Sequence, residues 1–392
     1  AEEPFATPWR TIIFGNNLGT IIESNLVYHL AKPNQLKDIS WIKPGRSSWS
    51  WWGDHESSKS FNSLSKFIDL SKSMGWEYSL VDANWDLMKD GGDIHDLVQY
   101  AAQQKVGLSL WYNSGGEHNA STERPRDILS DPEKRKNEFQ KISGWGIKII
   151  KVDFFNSDKQ ALIKLYLDIL KDAAAAKLMV VFHGCTLPRG WSRTYPNLLS
   201  MEAVKGAEQH CFDKLFYKNA PSHNITIMTG RNVVGPMDYT PVTFSNYDTV
   251  QHASTNAHEL ATALLFESGI LHFSDRVAAY DALSPVIKGF LRTIPVTWND
   301  TKFIEGYPGS WMVLARRKGN DWYIAGANGE TKNKNIVLDF HFLPTGTYQL
   351  LLMRDGATDR DIDTETISYT TGTPLTIKMR PNGGFVIRVT KN

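Results

Sequence analysis

Ile147-Lys148-Ile149-Ile150-Lys151-Val152-Asp153-Phe154-Phe155 is the stretch on which the reading of this chain turns. A mostly apolar run leads straight into a carboxylate and then two phenylalanines, the form of a buried parallel strand that ends in a polar group. Similar short runs recur on either side of it, at residues 47–53, 78–85, 106–113, 178–184, 198–204, 225–229 and 269–273. Longer amphipathic segments fall between them, at 61–74, 94–104, 131–143, 159–176, 257–266 and 278–293. Strand and helix alternating in this way predict repeated βα units, and eight strands predict a closed (β/α)8 barrel over residues 1–294. From about Pro295 only short alternating strands remain, with Asn328-Gly329, Asp355-Gly356 and Asn382-Gly383 as turn dipeptides. Residues 295–392 therefore predict a small antiparallel β domain.

The bulk composition narrows the partner. Lysine and arginine number 43 against 42 acidic residues, a formal net charge of +1, so nothing marks a surface for nucleic acid or anionic lipid. No apolar run is long enough to span a bilayer. Aromatic residues make up 11% of the chain, with 13 Trp and 14 Tyr, and flat amphipathic rings suit sugars. Two cysteines, Cys185 and Cys211, exclude a disulfide framework and are read as free thiols, with a single bridge between them as the alternative. A Gly-rich phosphate loop, a Gly-x-Ser-x-Gly elbow and a His-Glu-x-x-His helix are all missing, which sets aside the common forms of phosphoryl, acyl and zinc chemistry.

Active sites of such barrels lie at the C-terminal ends of the strands, so the polar residues that close each run are the candidates. They are Asp82, Asn84 and Trp85, Trp111 and Asn113, Lys151 and Asp153, His183, and Glu202 with Glu208. Asp153 reads as a nucleophile kept ionised by Lys151, which shares its face of the strand; a plain ion pair between the two is the alternative. One of Glu202 and Glu208 would serve as general acid with a raised pKa, while a second carboxylate nearby suits a calcium ligand. Asp82, Asn84, Asn113 and His183 offer hydrogen bonds to a sugar, and Trp85 and Trp111 either stack on its ring or pack the mouth.

Trp41-Ile42-Lys43-Pro44-Gly45-Arg46 followed by Trp49-Ser50-Trp51-Trp52 resembles the first-strand segment of glycoside hydrolase family 97. Lys151-Val152-Asp153-Phe154-Phe155 is similar to the segment that carries the nucleophile in its retaining members, and Met201-Glu202 with Glu208 to the pair supplying a calcium ligand and the acid/base. The resemblance runs from Pro8 through the C-terminal domain. It implies Asp153 as nucleophile, Glu208 as acid/base, and calcium held by Glu202 and Glu208. In the inverting α-glucosidase branch a Glu follows the strand-five His; Gly184 stands there in this chain. That difference points to the retaining branch and to an exo-acting α-galactosidase on oligosaccharides, with β-L-arabinopyranosidase or inverting α-glucosidase as rivals and a non-catalytic glycan-binding barrel as the rival of another class. The resemblance further implies a bacterial periplasmic or secreted location, and an N-terminal β-sandwich, not included here, that packs on the barrel.

Overall fold

A computed structural model describes residues 10–248 and 250–391. Seven parallel strands form the first sheet: β1 (Gly45–Trp49), β2 (Tyr78–Val81), β3 (Gly107–Asn113), β4 (Ile149–Asp153), β5 (Met179–Phe182), β6 (Leu198–Met201) and β7 (Ile270–Ser274). Their order is β6-β5-β4-β3-β2-β1-β7, so the sheet curls from β6 round to β7 in chain sequence. Nearly every strand residue is buried, as a sheet covered on both faces requires.

The expected eighth strand at 225–229 is not there. Ile225, Ile227 and Met228 instead form part of the buried face of a helix, Phe216–Thr229, so β-branched composition was overridden by packing. The gap between β6 and β7 is bridged by the segment after that helix. Met237 N donates to Glu267 O (2.7 Å), Asp238 N to Met201 O (3.0 Å), and Gly269 N to Leu199 O (3.0 Å). A near-barrel of seven strands is thus closed by an irregular segment that brings Asp238 into its interior.

Two helices, Phe61–Met74 and Ile94–Gln104, fall on their expected bounds because their ends are written locally. The Ser60 and Asp93 side chains accept from the first-turn amides, and Gly75 ends the first helix in the left-handed region. The single helix expected at 278–293 is two, Val277–Asp281 and Pro285–Thr293, divided where Ser284 caps and Pro285 starts the second.

The C-terminal part is antiparallel. Strands β8 (Asp300–Tyr307), β9 (Trp311–Lys318), β10 (Asp321–Asn328), β12 (Thr347–Asp355), β13 (Ile362–Thr370) and β15 (Gly384–Lys391) form one sheet in the order β13-β12-β15-β10-β9-β8, and β11 (Lys334–Leu338) pairs with β14 (Leu375–Met379). One face covers the helix Asn256–Leu265, in which every residue after Asn256 is buried. Gly384 permits the contact: a Cβ there would lie 2.7 Å from the His258 Cα. Leu260, Leu264, Met312, Ala325 and Val386 share one apolar core, which makes the sheet part of the wall behind β6 and β7.

Candidate active site

The residues at the C-terminal ends of the strands converge, but not in the pairs expected. Lys151 does not take Asp153 as its closest partner. Its Nζ lies 3.0 Å from Asp82 Oδ2 and 3.8 Å from Glu208 Oε1, and 4.7 Å over the Trp49 ring. The Asp82 carboxylate also accepts from Trp49 Nε1 (2.7 Å) and from the Ala83 amide (2.8 Å). Burial works against its charge, yet Lys151 and these donors hold it below the usual carboxylate range. The same pairing overcomes burial at Lys151 and keeps its ammonium charged. Asp82 is therefore a buried anchor for the cation, with its bonds spent inside the protein.

Asp153 closes β4 and is half-buried. Its Oδ1 accepts from the Phe154 amide (2.7 Å) and its Oδ2 from Trp111 Nε1 (3.3 Å). Burial pushes its pKa up; His183 and Lys151 pull it down, and Glu208 adds to the rise, leaving it above the ordinary aspartate value. Lys151 lowers this acid as expected, but burial, reinforced by Glu208, outweighs it and the net shift is upward.

Gly184 explains why an aspartate fits here at all. It has φ +48°, and a Cβ on it would stand 2.7 Å from Asp153 Oδ1 and 2.8 Å from the Phe154 amide nitrogen. The carboxylate of Asp153 occupies the space that a side chain at 184 would need.

His183, buried at the end of β5, is fixed from behind. Its Nε2 donates to Asp238 Oδ2 (2.8 Å), which also accepts from His272 Nδ1 (2.8 Å). Two donors on one oxygen set both tautomers and aim His183 Nδ1 at the mouth. There it lies 3.3 Å from Glu208 Oε1 and 3.6 Å from Glu202 Oε1. Burial and Lys151 oppose its charged form, but Glu202, Asp238 and Glu208 push it well above the usual histidine range.

The two glutamates differ. Burial raises Glu202, His183 opposes, and Glu208 and Asp153 add to the rise, which takes it to about 7. Glu208 is also penalised by burial, but Lys151 and His183 hold it below the ordinary glutamate value. The sequence leads one to expect the raised pKa of a general acid at either position; burial prevails and raises it at Glu202 and not at Glu208. Glu202 Oε2 accepts from the Gly184 amide (2.8 Å). Its backbone is held by Arg231, whose buried guanidinium donates to the carbonyls of Met201, Glu202, Gly235 and Pro236 at 2.8–3.1 Å. Ala203, next to it, sits at φ +39°.

Three of the expected sugar contacts point elsewhere. Trp85 lies in the core between sheet and helices, donating to Trp111 O (2.8 Å). Asn113 is fully buried, and its amide group is taken up by Ser121 O, Glu123 O and the Gly115 amide. Asn84, at φ 69°, accepts from the Arg124 amide and so ties down the same loop. These are supports of the mouth. Trp111, 1% exposed, acts on Asp153 rather than offering an open face. Sequence reasoning missed Trp49, Asp238, His272 and Arg231. His272 was within reach, since it interrupts an apolar strand on its inward face; Asp238 was not, because its partner lies 55 residues away and no periodic run contains it.

Ligand atoms of His183, Glu202 and Glu208 lie within 4.8 Å of one another, so these residues form a possible metal-binding cluster. Glu208 Oε1 is buried without a well-aligned hydrogen bond, as an oxygen left for a cation would be. Two carboxylates suit a hard ion such as calcium and supply part of the six to eight oxygens it takes; the ring nitrogen suits it less. Cys185 and Cys211 are unpaired.

Comparison with known proteins points to one family. The family model of glycoside hydrolase 97 matches residues 41–204, its C-terminal, oligomerisation model residues 297–390, and its N-terminal model residues 1–33. The chain is 33% identical to a probable retaining α-galactosidase of Streptomyces bingchenggensis over 98% of its own length and 58% of that protein's. It is 29% identical to a retaining α-galactosidase of Bacteroides thetaiotaomicron, covering 99% of this chain and 60% of the relative. Among solved structures, a β-arabinopyranosidase superposes with a TM-score of 0.89 at 32% identity, over 95% of this chain and 60% of the other. A Pseudoalteromonas family enzyme in complex with acarbose shares the fold at a TM-score of 0.83 and 24% identity, over 96% and 65%. The chain thus spans about three-fifths of the length of the curated relatives it matches.

Proposed function

Because the chain belongs to glycoside hydrolase family 97, we propose that it removes terminal α-galactosyl groups from oligosaccharides with retention of configuration, through a covalent intermediate on Asp153. The observation that carries this reading is the mutual exclusion at Gly184. A carboxylate on Asp153 and a side chain at 184 compete for one space, and this chain has given it to Asp153. The catalytic base of an inverting enzyme at 184 has no room beside it.

In the first step an Asp153 oxygen bonds to the anomeric carbon as the bond to the leaving oxygen breaks, and Glu208 gives that oxygen its proton. In the second, Glu208 takes a proton from water, the water oxygen bonds to the anomeric carbon and Asp153 departs. Trp111 and the Phe154 amide hold the attacking carboxylate in place. Lys151 and His183 stabilise the charge left on Glu208 once its proton has gone. Glu202 and Glu208 would hold a calcium ion, which would supply positive charge beside the leaving group.

A second assignment is supported by burial at Glu202, which pushes its carboxyl up to about 7, in the range of a general acid. Glu202→Gln and Glu208→Gln separate the two. The variant lacking the acid retains more activity on an aryl galactoside with a good leaving group than on a disaccharide, and the variant lacking only a metal ligand loses both equally.

The arabinopyranoside alternative is favoured by the likeness to a β-arabinopyranosidase, since β-L-arabinopyranose differs from α-D-galactose chiefly in lacking the hydroxymethyl group. A panel of aryl α-galactoside, β-L-arabinopyranoside and α-glucoside ranks the three, and turnover of any of them removes the glycan-binding alternative. Proton NMR of the first product tests the stereochemistry: α-galactose supports the mechanism and β-galactose refutes it. Asp153→Gly should lose activity that azide restores, with β-galactosyl azide as product. A periplasmic or secreted location fits a hydrolase of free oligosaccharides, and no helix of the described residues is long and apolar enough to cross a membrane. A preceding β-sandwich would adjoin the segment 10–33, where Glu23 bonds the Phe303 amide of β8 (2.9 Å).

A further inference from the structure

The loops leaving β1 and β6 at the mouth carry a row of aromatic rings that the chemistry above does not use. It starts at Trp49, under the Lys151 ammonium. Trp51 stacks on Trp49 with centroids 5.5 Å apart and an interplanar angle of 15°, and His55 stacks on Trp51 at 4.0 Å and 16°. Phe212 reaches the same group from the other loop, 5.8 Å from Trp51 and 6.5 Å from His55. Exposure rises along the row. Trp49 is 1% exposed, Trp51 and His55 are half-buried, and Phe212 is 63% exposed.

A lone phenylalanine on a surface needs no explanation. This one has a particular address. It ends the single helical turn Gln209–Phe212, whose N-cap is Glu208, and the Cys211 amide donates to Glu208 O (2.9 Å). The preceding residue, Ala207, accepts through its carbonyl from Trp52 Nε1 (3.2 Å), which fixes the β6 loop to the β1 loop. The turn that presents the Glu208 carboxylate therefore also presents an open ring one turn away, a distance of about 5 Å along a helix axis. That is about the width of a pyranose ring. A group joined to the oxygen that Glu208 protonates must lie within such a distance of Glu208, and in the direction of solvent.

We propose that Phe212, backed by the stacked rings of Trp51 and His55, forms the platform for the leaving group, and that the enzyme selects substrates in which the galactosyl residue is joined to a second flat ring, a pyranose or an aryl group. The inference rests on the α-galactosidase reading and deepens it. The C–H face of a pyranose and the face of an aryl group both gain from lying against aromatic carbon, whereas fluoride or methanol has no such face. The platform is continuous with the catalytic residues through the Glu208–Phe212 turn, so it acts on the bond being broken and not as a remote glycan-binding surface.

Two measurements on the 392-residue chain test it. In the first, kcat/KM is determined for a nitrophenyl α-galactoside, a galactosyl disaccharide and α-galactosyl fluoride. The ratio of either ring-bearing substrate to the fluoride should fall about tenfold in Phe212→Ala and be retained in Phe212→Trp; equal losses on all three substrates would overturn the platform. In the second, which needs no turnover, Asp153→Asn is mixed with the nitrophenyl galactoside and saturation-transfer NMR is recorded. Saturation should reach both galactosyl and aryl protons, and Asp153→Asn/Phe212→Ala should lose the aryl signal alone. Aryl signals unchanged by the second substitution refute the platform while leaving the galactoside reading intact. Silence from the galactosyl protons in both proteins refutes the galactoside reading, and the platform with it.

Discussion

Replacing Gly184 by alanine is the smallest change that tests how the mouth is built. The residue has φ +48°, a region that costs an L-residue about 1–2 kcal/mol. The added Cβ meets Asp153 Oδ1 at 2.7 Å and the Phe154 amide nitrogen at 2.8 Å, which falls short of ordinary contact by roughly 0.7 Å. The Phe154 backbone yields little, because Phe154 is itself at φ 64° and its carbonyl accepts from Ser114 and Asn119. The Asp153 carboxylate is the softer partner, so it rotates away and gives up the bonds from Phe154 N and Trp111 Nε1. Conformational cost and residual clash together should destabilise the chain by about 3 kcal/mol, a fall in melting temperature of about 5 °C. Displacing a nucleophile by a large fraction of an ångström should lower kcat on the order of 100-fold, with a much smaller change in KM. Thermal melts and steady-state rates on an aryl α-galactoside read both. A double-mutant cycle separates the causes: in the Asp153→Gly background the alanine should cost about 1 kcal/mol less, since one of its two clashes is gone. Full activity in Gly184→Ala, or a stability cost that Asp153→Gly leaves unchanged, would refute the claim that the two positions compete for one space.

Glu259, buried on the helix under the C-terminal sheet, is raised by burial to about 7 against the bonds it receives from Ser254 and the Thr243 amide. A carboxyl that binds its proton more tightly when folded adds stability that is complete below its unfolded pKa and lost as pH rises through 7, so Glu259→Gln should gain up to roughly 3 kcal/mol on the parent between pH 5 and pH 8; parallel denaturation curves across that range would exclude it. Arg231→Met removes one guanidinium from four carbonyls and should cost about 3 kcal/mol in urea denaturation; a loss under 1 kcal/mol would show the β6 exit to be held by other contacts. Calcium should raise the melting temperature, more at pH 8 than at pH 5.5 because the ion competes with the Glu202 proton, and Glu202→Gln should remove the effect; an equal shift in that variant would take Glu202 out of the ligand set.

What could be read in the sequence was whatever had a local cause. The β4 run and its terminal acid, the caps of Phe61–Met74 and Ile94–Gln104, and the antiparallel hairpins after Pro295 each depend on residues within a few positions of one another. The failures have non-local causes. The 225–229 run is β-branched, yet its apolar side chains pack as helix against the C-terminal sheet and the helix Asn256–Leu265, even with Pro221 inside it. Strands β8 and β13 leave no periodic mark in the sequence: β8 is intermediate in burial along almost its whole length and β13 is an exposed edge, so neither alternates between buried and open positions. At the site, the end-of-strand rule picked out acids that the structure brings together at one mouth, but it paired them by sequence proximity. Lys151 is two residues from Asp153 and 69 from Asp82, and it is Asp82 that it bonds.

That choice of partner organises the chemistry. Five carboxylates, of Asp82, Asp153, Glu202, Glu208 and Asp238, converge on one mouth, and acids at that density cannot all ionise without compensation. The two deepest, Asp82 and Asp238, are each committed to a base: Asp82 to Lys151, and Asp238 to His183 and His272. Being saturated from below, Lys151 and His183 are held rigidly and turn only part of their charge toward the three half-buried acids above. Burial raises all three; at Glu208, Lys151 and His183 outweigh it and hold the acid below its ordinary pKa, whereas at Asp153 and Glu202 burial prevails and they lie above theirs. On the proposed reading, a proton on Glu202 and a cation held by Glu202 and Glu208 would exclude one another. The buried pairs beneath the mouth therefore set which acid can hold a proton, and a divalent ion at the mouth would reassign it.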